Sequence, residues 1–194
     1  MQICVSAGRE DQAGILDLYT LAFCSDPFVR WMYPETAQYY QHYREFANLF
    51  GGKAFELGSA HCVDGCSAAA LWLPPHTRPD DEALIAFLQR TVRKQELRVA
   101  FAYFEQTAKY HPTEPHWHLT TIGVDPIRQG QGYGSALLKY GLAACDRDQQ
   151  LVYLGCTNPS NIDFYQRHGF ELLGTIQIGE APPLFPMMRR PGPV

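Results

Sequence analysis

Hydrophobic and polar positions change period several times along the chain, and each change marks an element. Residues 1–6 read as a first strand. Residues 11–23 place Ile15, Leu16, Leu18, Tyr19 and Phe23 on one side of a helical repeat, with Glu10 and Asp11 at its positive end. An aromatic stretch follows, broken by Pro27 and Pro34. Pro34 then fits the first turn of a helix over 35–50, which Gly51-Gly52 ends. Residues 53–63 and 66–73 read as two strands joined at Asp64-Gly65, a hairpin signal. AAALWL (68–73) is apolar throughout, as a strand covered on both faces should be. Residues 78–110 are helical, with a break near 93–96.

The stretch from His116 to Tyr140, HWHLTTIGVDPIRQGQGYGSALLKY, organises the rest. It opens as a strand in which Trp117, Leu119 and Thr121 share one side and His118, Thr120 and Ile122 the other. Asp125-Pro126 stops that strand, because proline donates no ladder hydrogen bond. Glycines at 130, 132 and 134 form a loop, and Ala136, Leu137, Leu138, Tyr140 and Leu142 continue as a helix. Residues without side chains let backbone N–H groups converge on a ligand. The helix N-terminus adds unpaired amides and partial positive charge, so the loop is an anion cradle suited to diphosphate. Beyond it, 151–156 reads as a strand, 158–168 as a helix ending at Gly169, 170–178 as a strand and 184–189 as a last one. This alternation gives an α/β class, one domain over 1–194 around a mixed sheet.

Composition narrows the function. The 194 residues carry a net charge of -4, which gives no electrostatic support to nucleic-acid binding. Arg90–Arg98 and Arg189-Arg190 are the local basic clusters and read as solvated faces. No apolar run approaches a membrane span and no secretory leader is visible, so a cytoplasmic protein without membrane contact is expected. The six cysteines are scattered. Cys62 and Cys66 flank a turn without a second ligand pair, so free thiols and no metal are expected.

The loop is not a dinucleotide fingerprint, since Ser135 stands where the last glycine or alanine belongs, and it lacks the Gly-Lys-Ser/Thr ending of a P-loop. Gln129-x-x-Gly132-x-Gly134 resembles the Gln/Arg-x-x-Gly-x-Gly/Ala signature of the GCN5-related N-acetyltransferase (GNAT) family. Asn158-x-x-Asn161-x-x-Phe164-Tyr165-x-x-x-Gly169-Phe170 is similar to that family's Asn-…-Tyr-x-x-x-Gly-Phe block. Within the family, HWHL, the NPSN–FYQRHGF run and the PPLFPMMR tail resemble small-amine acetyltransferases of the puromycin-resistance type.

The resemblance implies a GNAT-like, mostly antiparallel central sheet with helices on both faces. It implies acetyl-coenzyme A (acetyl-CoA) as co-substrate, and a cofactor-binding half, 116–194, that follows an acceptor-side half, 1–115, with a helical insertion at 78–110. It also implies that Ile122, Gly123, Val124, Gln129, Gly130, Gln131, Gly132, Tyr133, Gly134, Ser135, Asn158 and Asn161 contact acetyl-CoA, with the Tyr165 hydroxyl near the coenzyme sulfur.

Direct attack of an amine on the thioester needs no covalent intermediate. Ordinary pKa values of ~10 for tyrosine and ~8.5 for a thiol make proton transfer from Tyr165 uphill by about 2 kcal/mol, a gap a positioned acid can span. His118, with an ordinary pKa of ~6.5, suits the base, and His116, Glu114 and Asp26 are further candidates. A strand histidine held by hydrogen bonds stays open as the structural alternative. Cys156 reads as a buried thiol rather than a nucleophile. Asp26, Phe28, Trp31 and Tyr33 are the candidate acceptor residues, Asp26 as cation partner and the aromatics as walls, unless those rings seal the core.

The expected activity is transfer of acetyl from acetyl-CoA to the primary amine of a small molecule. A protein N-terminal or lysine acetyltransferase and a non-catalytic CoA-binding domain are the alternatives; a dinucleotide oxidoreductase is disfavoured by Ser135. Monomer and homodimer stay open.

Overall fold

A computed structural model describes residues 2–192; Met1, Pro193 and Val194, including the first residue of the expected strand 1–6, lie outside the described residues. The sheet has seven strands: β1 (Cys4–Ala7), β2 (Ala60–Val63), β3 (Ala68–Leu73), β4 (His116–Val124), β5 (Leu151–Cys156), β6 (Glu171–Leu172) and β7 (Phe185–Arg189). Their order is β1-β2-β3-β4-β5-β7-β6, and every neighbouring pair is antiparallel except β4–β5.

Helices cover both faces. α1 (Gln12–Ala22), α2 (Pro27–Met32), α3 (Thr36–Gly51), α4 (Lys53–Glu56), α5 (Asp81–Thr91) and α6 (Lys94–Ala108) build one core around Tyr19, Tyr39, Leu71 and Phe87. α7 (Tyr133–Arg147) and α8 (Ile162–Gln166) build the other, around Trp72, Leu119, Leu137 and Met187. β3 is the hinge between the cores: all six of its residues are buried, as its unbroken apolar run predicts.

Four expectations need correcting. The expected strand 53–63 begins as helix α4. Gly52 takes a right-handed φ of -65°, which does not break a helix, and burial of Ala54 and Phe55 decides the outcome. The expected strand 170–178 shrinks to Glu171–Leu172 plus a bridge at Ile176. Pro186 of β7 accepts from the Leu173 N–H but donates nothing back, so the ladder ends there.

The side assignment on β4 also changes. Leu71 pairs with Thr121 but Trp72 with Leu119, so Thr120 is an extra, bulged residue. The bulge inverts the alternation: Trp117, Leu119, Ile122 and Val124 share the α7 face, while Thr121 turns to the other. Finally, Arg189 does not sit on a solvated face. Its guanidinium donates to both carboxylate oxygens of Asp146 at 2.6 and 2.9 Å, tying β7 to the end of α7.

α7 approaches β3 because Gly141 has no side chain. A Cβ there would lie 2.4 Å from Cζ2 of Trp72, a fully buried ring with nowhere to move. Gly141→Val should therefore cost about 1–3 kcal/mol of stability through overpacking, read as a lower urea midpoint at unchanged m-value. A midpoint equal to that of the parent would contradict this packing.

Candidate functional site

The bulge at Thr120 creates an opening. β4 and β5 pair only over His116–His118 with Leu151–Tyr153. Beyond that point β4 stays with β3 while β5 stays with β7, so Leu119–Val124 and Leu154–Cys156 face one another unpaired. The Thr120 hydroxyl pins the bulge by donating to the Leu71 carbonyl at 3.1 Å. Gly123 on the same stretch admits α1, since a Cβ there would lie 2.8 Å from the Tyr19 ring. A groove of about 700 Å³ runs through the gap, lined by Thr121, Ile122, Cys156, Thr157, Asn161 and Tyr165.

At one end of the gap lies the glycine loop. Asp125 accepts from the Ile127 N–H and starts a short 3-10 turn, Pro126–Arg128. Gly130 and Gly132 have φ of 73° and 88°, left-handed values that favour glycine, and Gly132 caps α7 without any side-chain cap bond. Gln129, Gly130, Gln131 and Gly132 are exposed, and Tyr133, Gly134 and Ser135 are half-buried. The first amides of a fifteen-residue helix thus lie at an open turn, beside which the Gln2 side chain donates to the Gln131 carbonyl at 2.8 Å. These residues fit a diphosphate, because the space a Cβ would fill at Gly130 is empty and the loop is reachable. Gly134 sets the loop against α8: a Cβ would lie 3.4 Å from the Phe164 ring, next to Tyr165.

Tyr165 is buried, and burial first, then the nearby Cys156 and Asp26, push its phenol well above its ordinary value. Asp26 lies across from it at the N-cap of α2. Its carboxylate accepts from the Val29 N–H at 3.0 Å and from the Thr157 hydroxyl at 2.6 Å. Burial raises its pKa against those two bonds. Cys156 donates to the Asn158 carbonyl and is pushed up to about 11 by burial, so it keeps its proton. The Asn158 side chain is committed to its own turn, accepting from the Ser160 N–H, while Asn161 is the asparagine that lines the groove.

At the other end the sheet presents imidazoles. His116 Nδ1 lies 2.9 Å from the Glu114 carbonyl, which can only accept, so that nitrogen carries the hydrogen. Its Nε2 lies 3.1 Å from Nδ1 of His111. His118 packs against His111, Phe50 and Tyr153. Burial pushes His111 down to about 4 and His118 down to about 3, with the neighbouring imidazoles adding to both. Glu114 stands on the exposed rim, held below the usual carboxylate range chiefly by its own backbone amide.

Among the acceptor candidates, Asp26 and Phe28 line the groove. Tyr33 does not: it is fully buried, and its hydroxyl bonds Thr91 at 2.9 Å, so it is a core residue. Trp31 packs on Phe28 and Tyr103 behind the wall. Sequence reasoning missed Thr157, and it missed the far wall formed by Phe46, Phe50, Leu84, Phe101 and Phe104. On a helix those phenylalanines have the spacing of any core face, so no local signal separates them. No group of three His, Cys, Asp or Glu that could hold a metal occurs among the described residues, and none of their helices is long and apolar enough to cross a membrane.

Residues 84–172 match the family model described as Acetyltransferase (GNAT) domain. Similar solved structures include one from Corynebacterium glutamicum described as histone acetyltransferase HPA2 and related acetyltransferase. It is 25% identical with a TM-score of 0.68, covering 98% of this chain and 97% of that one. Arylalkylamine N-acetyltransferase 2 from Aedes aegypti is 11% identical with a TM-score of 0.69, covering 98% and 99%. A Drosophila melanogaster polyamine N-acetyltransferase is 16% identical with a TM-score of 0.63, covering 98% and 100%. The fold is therefore the single-domain GNAT fold, and the family match with these neighbours supports an acyltransferase.

The imidazoles make a pH prediction. His111 and His118 are neutral in the folded protein, with pKa values below the unfolded ~6.5. Between those values the unfolded chain binds more protons, so stability is complete above about pH 6.5 and falls as the pH drops toward 4 and then 3. Denaturant midpoints from pH 7 to 4 should decline less in His118→Phe than in the parent. An equal decline would place the acid sensitivity elsewhere.

Proposed function

We propose that the chain transfers acetyl from acetyl-CoA to the primary amine of a small molecule. The observation that carries this reading is one continuous groove that joins the β4–β5 gap, Tyr165 and Asp26 to a chamber walled by α3, α5 and α6. On this reading the diphosphate lies on the amides of Gln129–Ser135, and the thioester arm enters between β4 and β5 past Asn161. Residues 116–194 hold the co-substrate and most of 1–115 the acceptor. The backbone amides of Ile122–Val124 polarise the thioester carbonyl.

The amine nitrogen attacks the carbonyl carbon, the carbon–sulfur bond breaks, and the thiolate takes a proton from Tyr165. Burial lifts the phenol well above its ordinary value, so it keeps its proton until the thiolate forms beside it. Asp26, rather than His118, receives the proton from the amine. An imidazole pushed down to about 3 is a weak base, whereas the Asp26 carboxyl is raised and sits near Tyr165. His118 then serves as a neutral wall of the chamber.

The helices that roof the chamber favour a small molecule over a protein terminus or lysine side chain. The likeness to the puromycin-resistance type is the narrower form of this proposal and rests on HWHL, the NPSN–FYQRHGF run and the PPLFPMMR tail, which supplies β7. We place the enzyme in the cytoplasm, where the thiols of Cys62, Cys66, Cys145 and Cys156 stay reduced.

Acetyl-CoA should raise the melting temperature of the parent, and Gly132→Val should abolish that shift by forcing a branched residue to a φ of 88° in the cradle. No shift in the parent would remove the cradle from the argument. Tyr165→Phe should lower kcat by about 10²-fold or more with little change in the acetyl-CoA Kd. Asp26→Asn should flatten the acidic limb of the pH–rate profile. Thiol release from peptides but from no small amine would replace this reading with a protein acetyltransferase.

A further inference from the structure

We infer that the acceptor carries a single ammonium on an aromatic or bulky apolar body, and is not a di- or polyamine. This inference rests on the acetyltransfer reading and specifies the substrate class of the same site.

The chamber beyond the β4–β5 gap is built from rings. Phe46 and Phe50 stack at 5.9 Å with planes 6° apart, and Phe101 and Phe104 face them from α6. All four are only half-buried, so their remaining surface opens into the groove rather than into a core. An aryl or branched apolar group fits such walls by area burial and by edge or offset stacking.

Charge decides against a second ammonium. Four carboxylates line the cavity: Asp26, Asp81, Glu105 and Glu114. Asp26 alone is buried, and the other three are exposed on the rim, where water screens them. The histidines of the lining, among them His111 and His118, offer no negative charge. One cationic head at Asp26 is therefore matched. A second would lose its hydration against phenylalanine faces with no anion to receive it, at a penalty that weak cation–π contacts do not offset.

The chamber has length to spare beyond Asp26. Tyr153, beside His118, and Thr157, bonded to Asp26, are four residues apart on one strand and its extension, about 13 Å at the rise of a β-strand. An amine held at Asp26 thus has room for an aromatic body reaching toward Phe50 and His118.

The test is steady-state thiol release with acetyl-CoA, comparing 2-phenylethylamine and tryptamine with putrescine and spermidine. The parent should show kcat/KM at least about tenfold higher for the aryl amines. Phe104→Glu, which puts a carboxylate in the chamber, should narrow that ratio by about tenfold or more, mainly through KM. Putrescine or spermidine used as well as the aryl amines by the parent would overturn the acceptor class while leaving acetyl transfer in place. No thiol release with any of the four, despite an acetyl-CoA melting shift, would overturn the transfer reading and this inference with it.

Discussion

Between His118 and Val124, β4 must satisfy two neighbours that no longer run side by side. It follows β3 through an extra residue at Thr120, and in doing so it leaves β5, which follows β7. Buried ladder groups without partners are costly, so such a gap persists only where something polar enters it. The bulge is held from three sides: by the Thr120 hydroxyl on the Leu71 carbonyl, by the end of α3 at Gly51, and by Tyr19 of α1 over Gly123. The groove, its orientation and the groups that meet in it all follow from that break in pairing.

Desolvation is the second constraint. Within the groove it moves five groups toward the neutral form: Tyr165, Cys156 and Asp26 are raised, and His111 and His118 are lowered. A site of this kind resists holding a free charge, so a charge that develops during a reaction must be met by a nearby proton donor or acceptor. In the proposed reaction Tyr165 is the donor and Asp26 the acceptor.

The glycines divide their tasks in a way their common identity hides. Gly130 and Gly132 are required by left-handed backbone at an open turn, whereas Gly123 and Gly141 are required by what presses on them, Tyr19 and Trp72. On the proposed reading the first pair serves binding, whereas the second serves packing. A helix seated closely on β3 through Gly141 in turn fixes where the N-terminus of α7 points.

The loop 129–135, the strand before it, the helix after it and the Asn158–Phe170 block were legible in the sequence, because local rules dictate them. Proline stops a ladder, left-handed turns want glycine, and apolar residues at helical spacing want a face to bury. Asp26 was legible as a candidate but not its neighbours, since its bond to Thr157 spans most of the chain. Tertiary structure alone decided that 53–56 is helical, that Ile122 and Thr121 exchange faces, that Tyr33 is core while Phe46 and Phe104 line a chamber, and that His118 is neutral. Each of those outcomes depends on which distant residue covers a side chain. Sequence periodicity reports that a residue has an apolar face; it does not report whether that face meets another helix or an empty groove.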